Sequence, residues 1–480
     1  MRRSLSILQL NDLHGYTLPH PELVRPDGTW TLTELGGLAR IAGLFDHVRN
    51  ETGGAVLALD NGDTFHGTHL AVDSRGHALV PMMNRLGLDA MTLHWEFAYT
   101  PAGVRDLARR LAYPMLAINC FEQDGGGLEF PAYAMVERAG LRVAVIGLAC
   151  PVVGSTMPAH FSAGLRFTMG RDELPGWVRS VRQDEGADLV VVLSHLGLPQ
   201  DLKMAREVNG IDVLLSGHTH NRLREPIHVN DTIVIQAGCH GAFVGRLDVE
   251  VEGRRVVAHR YELLPVDDRW PEDAEMASLV AAAAEGRRAE LDRVVGEVSE
   301  TLHRYAMFGS KMDDVLLEAI AEAAGVRVAF SNGWRYGAPI PPGPVTEEDL
   351  WSIVPTNPPI MTTTLTGAEL VRMLEENLER TFASDPFEQM GGYVKRMRGV
   401  TLYLKVENPS GRRIDRLFVA DRPVEPDGTY EVAFITEQGV PTRFGRNRRS
   451  IGVDAISALR QLFAARGAVT PSREATIIVI

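Results

Sequence analysis

Seven side chains with oxygen or imidazole donors punctuate the first 220 residues: Asp12, His14, Asp63, His94, His195, His218 and His220. None is a thiolate, and together they outnumber the three or so protein ligands of a single catalytic zinc. Two divalent ions about 3.5 to 4 Å apart and sharing one carboxylate would use all of them. Asp63 follows Gly62 at the end of an apolar run, which makes it the natural bridge, since a carboxylate can give one oxygen to each cation. Any one histidine among the 15 is ordinarily a core or surface residue; the joint occurrence points to a metal centre. Imidazole and carboxylate donors suit manganese or zinc first and admit iron or cobalt. Such a centre hydrolyses esters by lowering the pKa of a bound water.

The elements that must position these groups are legible as apolar runs. SILQL, AVLALD, LDAMTL, ADLVVVL and IDVLL each run into one polar cluster: Asp12-Leu13-His14, Gly62-Asp63, His94-Trp95-Glu96, Ser194-His195 and Gly217-His218-Thr219-His220. Runs this apolar suit strands buried on both faces. Ligands in open α/β sheets gather where strands deliver their carboxyl ends, so distant endings can converge. Residues two apart on extended backbone share a face, so Asp12 with His14, and His218 with His220, are each expected to aim at one spot.

The order Asp-x-His, Gly-Asp, a motif ending in Glu-Phe, Ser-His and Gly-His-x-His resembles the calcineurin-like metallophosphoesterases, in particular the 5'-nucleotidase family. The resemblance implies an α/β (α+β) fold: a four-layer sandwich of two mixed sheets flanked by helices, with a C-terminal α/β substrate-binding domain. It also implies that Asp12, His14, Asp63 and His220 hold one ion and that Asp63, His94, His195 and His218 hold the other. The expected reaction is attack of metal-activated water on a phosphoric ester, a nucleotide or another small organic anion.

The third motif departs from that family. Its Gly-Asn-His-Glu-Phe-Asp-Tyr is matched by Leu93-His94-Trp95-Glu96-Phe97-Ala98-Tyr99. His94 takes the place of the metal-binding Asn, Trp95 that of the acid His and Ala98 that of the Asp that orients it. Neither Trp nor Ala transfers a proton. His66 is a candidate for a substitute donor, with a loop histidine of no catalytic role as the alternative. His94-Trp95-Glu96-Phe97 is similar to the thiosulfohydrolase branch of the superfamily. That resemblance implies a sulfur ester or a sulfone group on a carrier protein as an alternative substrate. A metal-bound binding protein without turnover is a third reading.

Composition agrees with a two-domain enzyme: 480 residues, 45% hydrophobic and 23% charged. A net charge of -13 argues against general nucleic-acid binding. No apolar stretch approaches the 18 or so residues of a membrane span. The amino terminus runs straight into the Asp12 motif without a hydrophobic signal region, and Cys120, Cys150 and Cys239 have no paired spacing. A cytoplasmic protein is expected. The boundary is placed at Pro265-Val266-Asp267-Asp268-Arg269-Trp270-Pro271. This gives a catalytic domain over 1–266, a linking helix over 267–298 built on the Ala- and Glu-rich run from Glu272 to Val295, and a substrate domain over 299–480; a helix packed entirely on one domain is the alternative to a linker.

In the second domain a helix is expected over Met312 to Ala324 and a strand over Val326 to Phe330. The strand delivers Ser331-Asn332-Gly333-Trp334-Arg335-Tyr336-Gly337, similar to the family's Asn-Gly-rich substrate segment. Asn332 and Arg335 are therefore candidate substrate contacts, Arg335 as a fork for an anionic group; an ordinary surface ion pair is the alternative. Thr346 with Asp349 reads as a capping box, and Thr366 opens the next helix similarly. In the 5'-nucleotidases two aromatic rings of this domain sandwich the base; the resemblance aligns Met390 and Glu437 with those positions, with Phe387, Tyr393, Trp334 and Tyr336 as substitutes nearby. Lys395, Arg396, Arg398, Arg443, Arg446, Arg448 and Arg449 are expected as solvated charges, with reception of an acidic substrate or partner as the alternative.

Overall fold

The computed structural model describes residues 2–25, 27–391, 393–472 and 476–480. It comprises two compact units, Met1–Glu285 and Gly286–Ile480.

In the first unit Arg2–Leu10 is the central strand of a five-stranded sheet. Val56–Asp60 and then Ala90–Met91 lie parallel to it on one side; on the other Phe243–Glu252 pairs with it antiparallel and Arg255–Pro265 pairs antiparallel with Phe243–Glu252. A six-stranded sheet runs Ile227–Val229, Thr232–Ile235, Val213–Leu215, Leu189–Ser194, Leu141–Leu148 and Tyr133–Arg138. Its four inner strands are parallel and its edges antiparallel.

The period-2 alternation of side chains explains the layers. Leu5, Ile7, Leu57 and Leu59 share one core with Val143, Val145, Leu189, Val191, Leu193, Val213 and Leu215 of the other sheet. The intervening Leu8, Leu10, Val56 and Ala58 join a second core with helical residues. Helix Leu38–Glu51 supplies Leu38, Ile41, Leu44, Phe45 and Val48 to it, the 3–4 spacing of an amphipathic face. Full burial of each such side chain stabilises the fold by roughly 1.5–3 kcal/mol. The continuous apolar runs are thus strands covered on both faces. LDAMTL is the partial exception, with only Ala90–Met91 in the sheet.

The second unit is built on a five-stranded sheet in the order Arg396–Arg398, Val328–Ser331, Thr429–Phe434, Pro359–Thr366 and Arg446–Asp454. Helix Lys311–Ala324 is capped by the Ser310 side chain and stops at Gly325, whose φ of 66° is left-handed. Capping boxes form at Thr346 with Asp349 and at Thr366 with Glu369, as the sequence indicates. Buried Asp313 accepts hydrogen bonds from Arg304 Nε at 2.9 Å and Arg396 Nε at 3.0 Å.

The single linking helix over 267–298 is not what forms. Helix Ala274–Ala284, capped by Asp273, belongs to the first unit and buries Met276 and Val280 in its core. Gly286 then adopts φ 78°, a short helix covers Arg288–Leu291, and Val294–Val298 is a strand of the second unit. One glycine with a left-handed backbone interrupts an otherwise helix-favouring composition. Among the described residues no helix is long and apolar enough to cross a membrane. The three cysteines are free and buried.

Candidate metal centre

All seven candidate ligands converge in the first unit, in two groups. Asp63, His94, His195 and His218 form one, and Asp12, His14 and His220 the other; within each, the donor atoms lie within 4.8 Å of one another. Asp63 Oδ2 is the meeting point, 2.9 Å from His94 Nδ1, 3.1 Å from His195 Nε2 and 3.7 Å from His14 Nε2 of the other group. Asp12 Oδ1 lies 3.2 Å from His220 Nε2 and 3.6 Å from His195 Nε2. Asp63 Oδ1 accepts the Trp95 backbone N–H at 2.7 Å. A single oxygen, Oδ2, is therefore the atom placed between the groups, rather than one oxygen facing each.

The convergence is not produced by extended backbone. Asp12, His14, Asp63, His218 and His220 have φ between 50° and 69°, the left-handed region that non-glycine residues rarely occupy. Such strain, concentrated in one place, is typical of functional sites. The consequence is visible at the last cluster: His218 and His220 enter different groups instead of aiming at one spot. Gly62, with φ 87°, brings the end of Val56–Asp60 against the loop of His94, where an added Cβ would meet Thr92 O at 2.6 Å.

Hydrogen bonds fix the rings. His14 Nδ1 lies 3.1 Å from His66 O and His195 Nδ1 lies 2.6 Å from Asn61 O. A carbonyl only accepts, so Nδ1 carries the proton and Nε2 presents a lone pair inward. His14 Nε2 is 3.2 Å from His220 Nε2, and His195 Nε2 lies 3.1 Å from Asp63 Oδ2. Buried nitrogens that face one another and two carboxylates fit a bound cation. Burial works against charge on Asp63, yet His94 and His195 hold its carboxyl well below the usual range. Burial likewise opposes protonation of His195, and Asp63 and Asp12 push it up to about 9.

Trp95 stacks on His66, with ring centroids 4.8 Å apart and planes inclined by 23°, and meets Phe161 edge-on. Ala98 packs against the core. Desolvation pushes His66 down to about 4, so its ring is neutral near pH 7 and poorly suited to protonating a leaving group.

Asn332 and Arg335 follow strand Val328–Ser331 in the second unit. Asn332 Oδ1 accepts Thr436 Oγ1 at 3.1 Å, and the Arg335 guanidinium carbon lies 5.5 Å from the Tyr393 ring centroid. Arg304 Nη1 donates to Tyr336 O at 2.9 Å and so anchors this segment. Trp334 and Tyr336 are core residues, 3% and 2% exposed, and do not serve as stacking plates; Phe387 and Tyr393 are half-buried, while Gly392 lies outside the described residues. Nor are all the basic residues solvated. Lys395 and Arg396 are buried, Arg396 in its pair with Asp313.

Several supporting residues escaped the sequence reading. Glu96 is fully buried; Oε1 accepts Thr64 N and Oε2 accepts His94 N, both at 2.8 Å, so it ties the Asp63 loop to the His94 loop. Asn61 Nδ2 donates to Ser194 O and Leu215 O, each at 2.8 Å. Asn11 Nδ2 donates to Asp12 Oδ2 at 2.7 Å. The available signal was a polar side chain close to each ligand in sequence, which distinguishes nothing without the contacts.

Comparison with known proteins agrees with this architecture. A family model described as 5'-nucleotidase, C-terminal domain matches residues 285–436. The trifunctional nucleotide phosphoesterase protein YfkN of Bacillus subtilis (strain 168) is 26% identical over 85% of this chain, which spans 32% of that relative's length. A solved Thermus thermophilus sulfate thiohydrolase SoxB in complex with glycerol superimposes with a TM-score of 0.91 at 27% identity, covering 99% of this chain and 96% of the other. A 5'-nucleotidase precursor, also from Thermus thermophilus, shares the fold with a TM-score of 0.88 at 24% identity, covering 99% of each chain. Residues 285–436 thus form a 5'-nucleotidase C-terminal domain, and the chain carrying it, with seven donors at strand ends before it, is similar over most of its length to 5'-nucleotidases and to SoxB.

Proposed function

We propose that this protein is a dinuclear metallohydrolase that cleaves a phosphoric ester of a small organic anion, nucleotides included. The observation that carries the reading is the meeting of two donor groups on Asp63 Oδ2. Two divalent ions bound there, manganese or zinc first by donor chemistry, would activate water and neutralise the substrate's oxygens. The chain's own part is to hold the imidazoles by backbone carbonyls and to keep the carboxylates ionised. Asn332 and Arg335 are the proposed contacts to substrate.

A second reading is hydrolysis of a sulfur ester, on a small molecule or a carrier protein. It is favoured by Trp95 and Ala98, since a thiol leaving group departs with less protonation than an alkoxide. Manganese- or zinc-loaded protein assayed against nucleoside monophosphates, nitrophenyl phosphate and S-sulfonated thiols separates the two. Turnover of the phosphate esters supports the first reading, and turnover of the S-sulfonates alone supports the second. No turnover of any ester by protein holding two ions would defeat both and leave a binding role.

A further inference from the structure

Behind the group formed by Asp63, His94, His195 and His218 lies a carboxylate that the proposed reaction does not use. Asp201, on helix Leu198–Glu207, is fully buried. Its Oδ1 accepts Ser194 Oγ at 2.6 Å and its Oδ2 accepts Ser216 Oγ at 2.6 Å. Ser194 closes strand Leu189–Ser194 and directly precedes His195; Ser216 follows Val213–Leu215 and stands two residues before His218. One carboxylate thus grips the ends of two neighbouring parallel strands, at the positions from which two ligands of the same group depart.

The grip continues outward. Gln236 Nε2 donates to Ser216 Oγ at 3.0 Å and to Gly217 O at 2.6 Å, while its Oε1 accepts Thr219 Oγ1 at 3.2 Å. Ser194 Oγ also accepts Leu196 N at 3.2 Å, so both serine hydroxyls are directed towards Asp201. A buried carboxylate is costly unless its oxygens are occupied, and here both are occupied by strand-end hydroxyls. Buried networks of this kind select a single arrangement of the groups they join.

We infer that Asp201 is a positioning residue for the ion held by Asp63, His94, His195 and His218, acting through Ser194 and Ser216. The inference rests on the two-ion reading. Without the tie, the loops after both strands lose a shared anchor and two of the four donors lose their mutual spacing. Asp12 and His14 leave a different strand and should keep theirs, so the second group, which shares only His220 with the held strand ends, should be disturbed less.

Titration of the metal-free full-length protein with manganese or zinc, with thermal melting as a control for folding, tests this. Wild-type protein should take up two equivalents. Asp201→Ala should weaken one by about 10- to 100-fold, the usual effect of removing a group that orients metal ligands, and the other, which draws only His220 from the held strand ends, markedly less. Asp201→Asn, which still bonds both hydroxyls, should stay close to wild type. If Asp201→Ala does not fold, Ser216→Ala cuts one arm and should weaken the same equivalent to a smaller degree. Unchanged binding of both ions in Asp201→Ala and Ser216→Ala, or equal weakening of both, would overturn the role of Asp201 alone. Wild-type protein that takes up fewer than two ions would overturn the two-ion reading and this inference with it.

Discussion

At the scale of single residues, Asp63 carries more of the site than any other side chain, because one of its oxygens serves three imidazoles from two groups. Asp63→Asn should reduce turnover by at least about 100-fold and lower metal content, since an amide cannot supply the shared anionic oxygen. Metal analysis alongside steady-state kinetics checks both effects. Protons compete with the ions for the imidazoles, and Asp63 and Asp12, overcoming burial, let His195 keep its proton up to about 9. Metal affinity should therefore rise with pH, by about one decade per pH unit for each proton displaced. Titrations near pH 6, 7 and 8 would show this, and a flat profile would contradict it. Trp95→His combined with Ala98→Asp reinstates a proton-donating pair. Turnover of alkyl phosphates should then gain at least about 10-fold relative to nitrophenyl phosphate, given the 10²–10⁴ typical of general acids.

At the scale of elements, the apolar runs were readable as strands because both faces of each are covered, and the capping boxes were readable from local chemistry alone. The aim of the ligands was not readable from alternation, and only the resemblance assigned His218 and His220 to different ions. Alternation along a strand predicts that His218 and His220 share a target, whereas their left-handed backbone sends them to different groups. Glycine enables the close approach at Gly62. Gly62→Ala should destabilise the protein by about 1–3 kcal/mol, combining left-handed strain with an overlap against Thr92 O; denaturant unfolding measures this. Asp201, Asn61 and Glu96 were invisible for a different reason, namely that their partners lie on other elements. The hairpin Pro19–Val24 and Thr31–Gly36 is anchored by fully buried Glu22, whose Oε1 lies 2.9 Å from Arg222 Nη2. Burial raises the Glu22 carboxyl, but Arg222 and His240 outweigh it and bring it from 4.5 down to about 2. A depressed carboxyl contributes stability that is complete above pH 4.5 and is lost as pH falls towards 2, here on the order of 3 kcal/mol. Glu22→Gln should flatten that part of the acid-unfolding curve.

At the scale of the whole molecule, two units with separate cores explain why metal chemistry and candidate substrate contacts were legible in different halves of the sequence. The boundary was legible only approximately, since composition favours helix from Glu272 to Val295 and one glycine conformation decides where it breaks. Because all seven donors and their supports lie within 1–285, a fragment of those residues should bind the same metal equivalents as the full chain. The central claim is that the two donor groups hold two ions joined through Asp63. Its most direct test is electron paramagnetic resonance of the manganese-loaded protein together with metal analysis. Wild-type protein should hold two manganese ions per chain with an exchange-coupled spectrum, replaced in Asp63→Asn by an uncoupled signal or by metal loss. One ion per chain, or two uncoupled ions in the wild-type protein, would contradict it.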